Sequence, residues 1–297
     1  MAVPSQHEAA FAENRAHLWR VAYRMLGSRA EADDAVQDAW LRWHGVQHQD
    51  IRSPQAWLTT TITRLCIDRL KQLRVEREHY TGPWLPEPLV EEPPADQTAE
   101  LASELSIALM ALLERLAPEE RAAFLLHDIF DTDYGEIAQI LGKSEVACRQ
   151  LVSRAARRVR EQKPRVQVPV ETKQRLLAGL LHALQTQDRG AMRSLLAEEA
   201  AWTSDGGGRA RAARRVIRGA EKVARFGTGV FRKLIRHLEF HPVYVNNEPG
   251  LAVFSQGRLF SVMTIRTDGQ RILDVFSILN PEKLEAVTAD LGASSDS

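Results

Sequence analysis

Apolar positions recur at three- and four-residue steps through the first half of the chain, and later give way to short alternating runs. Phe11, Leu18, Val21, Ala22 and Met25 share one face of a helix whose other faces carry Glu13, Asn14, Arg20 and Arg24. Gly27-Ser28 interrupts this pattern. Residues 30–43 predict a second helix that packs through Ala35, Val36, Ala39 and Trp40. A third begins at Ser53-Pro54, where serine caps the end and proline sits at the first helical position without losing a useful N–H. It runs through Trp57, Leu58, Ile62, Leu65, Cys66, Arg69 and Leu73, and it carries a dense basic surface from Arg64, Arg69, Lys71, Arg74 and Arg77.

The pattern breaks at Gly82. Repeated prolines in the stretch from Gly82 to Pro94 remove backbone donors and clash with a preceding turn, so an extended linker is predicted over residues 81–97. Trp84, Leu85 and Leu89 are apolar for a free tether. They either dock on a neighbouring domain or anchor the linker locally with no regulatory role.

Helical periodicity resumes over 98–163, with Leu101, Leu105, Leu109, Leu112, Leu113 and Leu116 on one face and a restart at Pro118-Glu119-Glu120. Within it, Asp133 and Glu136 have capping-box spacing, Ile137, Ala138 and Leu141 line one face, Gly142 closes the helix and Ser144 caps the next. Two helices across so short a turn form a helix-turn-helix. On the second of them Cys148, Leu151, Val152, Ala155 and Val159 face inward. Arg149, Gln150, Ser153, Arg154 and Arg157 stay outside, where arginine and glutamine reach base edges and phosphates in a major groove. An arginine-rich surface helix of an ordinary bundle is the plainer alternative.

A short connection over 164–170 leads to a helix bearing Leu176, Leu177, Leu180, Leu181 and Leu184, and to a second helical pattern with Met192, Leu195 and Leu196. Strands are predicted at 238–245, 251–255, 259–265 and 272–279, separated by Asn246-Asn247, Gly257 and Asp268-Gly269. Residues 171–297 therefore form an α+β domain.

Composition narrows the function classes. The 297 residues carry 39 basic and 39 acidic side chains, so a case for nucleic acid rests on local clusters, not on net charge. The two cysteines, Cys66 and Cys148, lie in separate helical patterns and read as small buried apolar groups in a reducing compartment. No run approaches the roughly 20 apolar residues that cross a bilayer, and a cytoplasmic protein without membrane association is expected. Scattered histidines and lone cysteines give no zinc spacing, and no cofactor or metal is expected.

Two ordered blocks in the first half resemble the extracytoplasmic-function group of bacterial sigma factors. Residues 23–28 (Tyr-Arg-Met-Leu-Gly-Ser) and 31–40, with 53–58 and 62–70, are similar to their second conserved region. Residues 116–124 (Leu-Ala-Pro-Glu-Glu-Arg-Ala-Ala-Phe) and 134–138 are similar to the fourth. Three further pointers, 84–89 (Trp-Leu-Pro-Glu-Pro-Leu), 205–208 (Asp-Gly-Gly-Gly) and 280–284 (Asn-Pro-Glu-Lys-Leu), resemble the subgroup with a C-terminal SnoaL-like domain. The resemblance implies two all-α domains, at 1–80 and 98–163, then a SnoaL-like, cystatin-like cone at 171–297.

It also implies partners and roles. Asp33, Asp34, Gln37 and Asp38 would dock on the β′ clamp helices of RNA polymerase core, with the β flap as a further contact. Arg64, Asp68, Arg69, Lys71 and Arg74 would approach the −10 element and the opened strand, and Arg149, Gln150, Ser153, Arg154 and Arg157 the −35 element of promoter DNA. Trp84, Leu85, Pro86, Asp205, Gly206, Gly207, Gly208, Asn280, Pro281 and Lys283 would mediate regulation between domains, generally without a separate membrane anti-sigma protein. Polymerase performs the phosphoryl transfer, so no catalytic residue is expected.

Two rival functions stand beside this one. A ligand-controlled DNA-binding regulator accounts for the helix-turn-helix and the α+β extension but leaves the acidic helix of the first domain unused. SnoaL-like folds also include acid/base enzymes, which makes Trp202, Asp205, His237, His241 and Asp274 the groups to inspect, although none forms a triad by spacing. The glycine run lacks a phosphate-loop ending. The cationic run of Arg209, Arg211, Arg214, Arg215, Arg218 and Lys222 is either a solvated helical surface or a binding face for DNA or an acidic protein.

Overall fold

The structure, a computed structural model, describes residues 6–46, 51–91, 106–161, 168–234 and 237–294. It divides into two compact units, residues 1–78 with 112–162 and residues 79–111 with 163–297. Leu101, Leu105 and the linker prolines Pro93 and Pro94 lie outside the described residues.

In the first unit, α1 (Gln6–Leu26), α2 (Arg29–His44) and α3 (Pro54–Glu78) pack on one another. Ser28 starts α2 by accepting the Glu31 N–H, and Leu18, Ala22, Leu26, Val36, Ala39, Leu58, Ile62 and Cys66 fill the core. Trp43 is 1% exposed and still satisfies its indole N–H on the His7 carbonyl at 2.9 Å, as a buried tryptophan must. The second helical block contains α4 (Ile107–Leu113), whose first five residues belong to the other unit, α5 (Pro118–Phe124) and a π-helical turn at Leu125–Ile129. It closes with α6 (Tyr134–Leu141) and α7 (Glu145–Arg160).

α3 packs against α5 and α6, and arginines supply the polar joints. Arg121, 1% exposed, gives Nε and a terminal N–H to the Arg24 carbonyl at the end of α1, at 3.2 and 2.9 Å. Arg77 donates to the Leu26 carbonyl at 3.1 Å, and Glu114 bridges Arg77 and Arg121. These contacts use carbonyls that a helix end leaves without intrahelical donors.

The second unit is built on a seven-stranded sheet of β1 (Val90–Glu91), β2 (Leu196–Asp205), β3 (Ile217–Arg218), β4 (Leu238–Val245), β5 (Glu248–Ser255), β6 (Arg258–Thr267) and β7 (Ile272–Ile278). Their spatial order is β1-β4-β5-β6-β7-β2-β3, antiparallel except for the β2–β7 pair. Asn246-Asn247 and Gln256-Gly257, all at positive φ, make the tight turns that the alternating runs require. The predicted strand set lacked β2: Leu196, read as helical, opens it instead. Its residues Ala-Glu-Glu-Ala-Ala favour helix, but pairing to β7 on one side and β3 on the other overrides that preference.

Alternation along the strands gives the sheet two apolar faces. Leu251, Val253, Met263, Ile265 and Val275 join Trp202 and the leucines of α8 (Val170–Thr186), with α9 (Arg189–Leu195) and α10 (Ala220–Leu234), in one core. Ala252, Val262, Phe276 and Ile278 face the other way, where Leu85, Val90, Ile107 and the Leu284 and Val287 side chains of α11 (Pro281–Ser294) cover them. Part of the stretch expected to be a linker is therefore a layer of this unit.

Candidate functional site

On α2, Asp33, Asp34, Gln37 and Asp38 are all exposed, opposite buried Ala32, Ala35, Val36 and Ala39. Asp33 and Gln37, like Asp34 and Asp38, lie four residues apart and so continue one another along the helix. Asp33 accepts the Trp19 indole N–H at 2.8 Å. Leu41, 61% exposed, extends this acidic face with an apolar side chain. Sequence reasoning missed it, because an isolated leucine in an amphipathic helix reads as core until its direction is known.

The basic face of α3 is less uniform than its composition suggests. Arg69 grips Glu31 of α2 with two bonds of 2.6 and 2.7 Å and reaches Glu76 at 2.8 Å. Hydrogen bonding to Glu31 holds its guanidinium above the ordinary arginine range, against the effect of burial. Lys71 and Asp68 pair with each other at 3.0 Å, and Arg74 is exposed. Arg64 points at the second helical block, donating to the Ile140 and Gln139 carbonyls at 2.8 and 3.0 Å, where it caps the C-terminus of α6.

The helix-turn-helix is specified residue by residue. Asp133 accepts the Glu136 N–H at 2.8 Å, Gly142 takes the left-handed conformation at φ 62° that ends α6, and Ser144 accepts the Ala147 N–H at 3.2 Å to start α7. Along α7, Cys148, Leu151, Val152, Ala155 and Val159 are buried, while Arg149, Gln150, Ser153, Arg154 and Arg157 are exposed together. Arg149 lies over the Tyr134 ring at 5.0 Å. Buried Glu120 accepts from Arg154 at 3.1 Å and from Arg158 at 2.6 Å, fixing both along one edge of the helix. Val146, 66% exposed in the first turn of α7, is a second residue missed by periodicity, and it is of the kind that packs on a thymine methyl group.

In the second unit the residues chosen for regulation meet at one point. Asp205, fully buried at the end of β2, accepts the Tyr80 hydroxyl at 2.6 Å, the Leu85 N–H at 2.8 Å, the Gly207 N–H at 3.1 Å and the Lys283 ammonium at 2.7 Å. Lys283 also donates to the Leu85 carbonyl and lies 4.1 Å from the centre of the Trp84 ring. Asn280 donates to the Tyr80 oxygen at 3.0 Å and, through its side-chain carbonyl, caps α11 just before Pro281. Burial, then the bond to Asp205, pushes the Tyr80 phenol well above its usual range and keeps it a donor.

Two of the glycines beside Asp205 have no substitute. A Cβ on Gly207, at φ 58°, would stand 2.4 Å from the Asn280 amide nitrogen, and one on Gly206 would stand 2.6 Å from the Ala210 carbonyl. Leu85 and Pro86 are buried beneath the lock, and Leu89 pairs with Asn246 through bonds of 3.0 and 2.7 Å that lead into β1.

The residues that suggested retained acid/base chemistry do not converge. Trp202 is in the core with its N–H on Ser277, Asp205 belongs to the lock, Asp274 pairs with Arg266, and His241 and His237 are exposed. Among the described residues no three His, Cys, Asp or Glu side chains form a metal-binding group, and no helix is long and apolar enough to cross a membrane.

A three-helix block with an exposed acidic helix, a helix-turn-helix and a sheet domain that holds their linker together define a class. Residues 10–75 match Sigma-70 region 2 and residues 106–159 match Sigma-70, region 4. The chain belongs to the extracytoplasmic-function family of RNA polymerase sigma factors, proteins that bind RNA polymerase core and promoter DNA and are not themselves enzymes.

Among its relatives, the ECF RNA polymerase sigma factor SigJ of Mycobacterium tuberculosis is 41% identical over 225 residues, covering 74% of this chain and 71% of that one. The probable ECF RNA polymerase sigma factor SigI of the same species is 29% identical over 303 residues, 97% of this chain and 99% of its own. The crystal structure of SigJ superposes with a TM-score of 0.72 at 34% identity, covering 92% of this chain and 98% of that one. That likeness extends through the sheet domain, which is of the SnoaL-like type expected.

Proposed function

We propose that the exposed face of α2 formed by Asp33, Asp34, Gln37 and Asp38, with Leu41, docks on the β′ clamp helices of RNA polymerase, while α3 serves the −10 element and α7 the −35 element. Arg149, Gln150, Ser153, Arg154 and Arg157 of α7 suit that role, since arginine and glutamine pair with purine edges and serine with either base edge or phosphate. On α3, Arg64 and Arg74 are the side chains offered to DNA, Asp68 and Lys71 shape the surface between them, and Arg69 braces the helix through Glu31. Arg64 is exposed but its donors are engaged by the α6 carbonyls, so a closed first unit, with that contact made, is a resting form.

The C-terminal domain sets the activity by holding the linker between the two sigma regions. One observation supports this reading: the carboxylate of Asp205, from the sheet domain, is bonded at once to Tyr80 and Leu85 at the start of the linker and to Lys283. The experiment is promoter-dependent transcription by purified core with the full chain and with Lys283→Met. Specific initiation by the full chain, at a rate altered severalfold by the substitution with core affinity retained, is the expected result. An unchanged rate, with proteolysis showing the linker released, would leave the domain a passive appendage.

A further inference from the structure

The cationic run after the glycine turn is absorbed by neither the lock nor the sigma regions. Nine of the chain's 39 lysines and arginines fall between Gly206 and Lys233, with Glu221 the only carboxylate among them. Glu221 is already taken by Arg189, and Arg209 pairs with Glu282 at 2.7 Å. Arg211, Arg214, Arg215 and Arg218 are exposed and have no ion pair among the described residues. Some other cations of this unit are matched, Lys173 by Glu248 and Arg266 by Asp274.

The charge falls on the loop after the glycine turn, on the edge strand β3 and on one face of α10. The loop alternates arginine with short alanines, Arg218 lies on β3 at the edge of the sheet, and Gly219 turns the chain into α10 at φ 93°. On α10, Lys222, Arg225, Gly229 and Arg232 are exposed at steps of three, four and three, which is one helix face, opposite buried Val223 and Ala224. A Cβ at Gly229 would meet nothing within 4 Å, so the stripe is open to solvent at that point.

We propose that this surface of the C-terminal domain binds the phosphate backbone of promoter DNA without reading its sequence. A cluster of like charges without counter-charges is destabilising alone, and a duplex supplies one phosphate charge per roughly 1.7 Å of axis to neutralise it. The family already brings DNA to this chain, and a second contact on the same polypeptide acts at the high effective concentration of an intramolecular event. Exposed arginines and lysines suit phosphate contact.

The test is binding of a promoter fragment by core polymerase loaded with the full chain, measured against potassium chloride concentration. It compares the natural chain with Arg211→Gln/Arg214→Gln/Arg215→Gln and, separately, with Lys222→Gln/Arg225→Gln. Each phosphate contact removed should flatten the log-log salt slope by about 0.9, lowering affinity about three- to tenfold near physiological salt while titration of core alone is unchanged. Both sets sit on exposed positions, and melting curves matching the natural chain are expected. Unaltered slope and affinity in both variants would overturn the proposal. So would weakened core binding with an unchanged DNA slope, which would assign the surface to an acidic protein face.

Discussion

In the first unit, regions 2 and 4 are joined by arginines aimed at helix-end carbonyls, with Arg64 on Ile140 and Gln139 and Arg121 on Arg24. In the second, the linker is built into the sheet domain by strand pairing at Val90, apolar burial of Leu85 and Val90, and hydrogen bonds from Tyr80 and Leu85 to a buried Asp205–Lys283 pair. The difference lies in what each junction leaves behind when it opens. Parted arginines and carbonyls are rehydrated, so their net loss is modest. A displaced linker exposes one apolar face of the sheet, at about 1.5–3 kcal/mol for each large side chain uncovered, and takes the Tyr80 and Leu85 donors away from the Asp205 carboxylate, which keeps its bond to Lys283. The first junction is suited to opening on polymerase and the second to staying shut until something specific releases it.

The sharpest way to break that contrast is Asp205→Asn. It leaves the Lys283 ammonium, 11% exposed, without its carboxylate and weakens three bonds at once. Removing one partner of a buried pair costs about 3–5 kcal/mol. Urea unfolding should show that loss in the second unit, and limited proteolysis should show new cleavage between Tyr80 and Leu89. Adding Lys283→Met should recover part of it, since no charge then remains unpaired.

Glu114→Gln probes the first unit. It leaves Arg77 and Arg121 facing each other with no carboxylate between them, although Glu114 and Arg77 retain 17% and 18% exposure and water softens the effect. A loss of about 2–3 kcal/mol is expected, together with tighter binding to core polymerase in a fluorescence titration, because the closed form is weakened. Arg64→Ala is milder still. Its guanidinium is exposed, so stability should fall by less than about 1 kcal/mol, while promoter opening, followed by permanganate reactivity of unpaired thymines, should fall far more.

The same contrast explains what was legible before the structure. Helix periodicity, the caps at Ser53, Asp133 and Ser144 and the strand alternation over 238–278 are local signals, and each produced the element observed. The meeting of Tyr80, Leu85, Asp205, Asn280 and Lys283 spans up to 200 residues, and only the family resemblance singled out most of its members. Tyr80 carried no sequence signal. β2 was hidden because Ala-Glu-Glu-Ala-Ala has the composition of a helix, and β1 because two residues are too few for alternation to register. The commitment of Arg69 to Glu31 was equally invisible, since composition counts a charge without showing where it is spent.

The smallest expected effect separates the units by pH. His17, in the first unit, stacks edge-on against Phe130 at 5.3 Å, and burial, then Arg20 and Arg24, hold its imidazole below the ordinary histidine range. The folded state therefore keeps His17 neutral at a pH where the unfolded chain takes up a proton. By linkage its contribution to stability is complete above the unfolded value, 6.5, and is lost as pH falls below it towards the lower folded value. Urea midpoints for the first unit should decline between pH 7.5 and 5.5, and His17→Gln should flatten that slope without altering the second unit. A slope that survives the substitution would place the titrating group elsewhere in the first unit, and a slope shared equally by both units would remove His17 as its source.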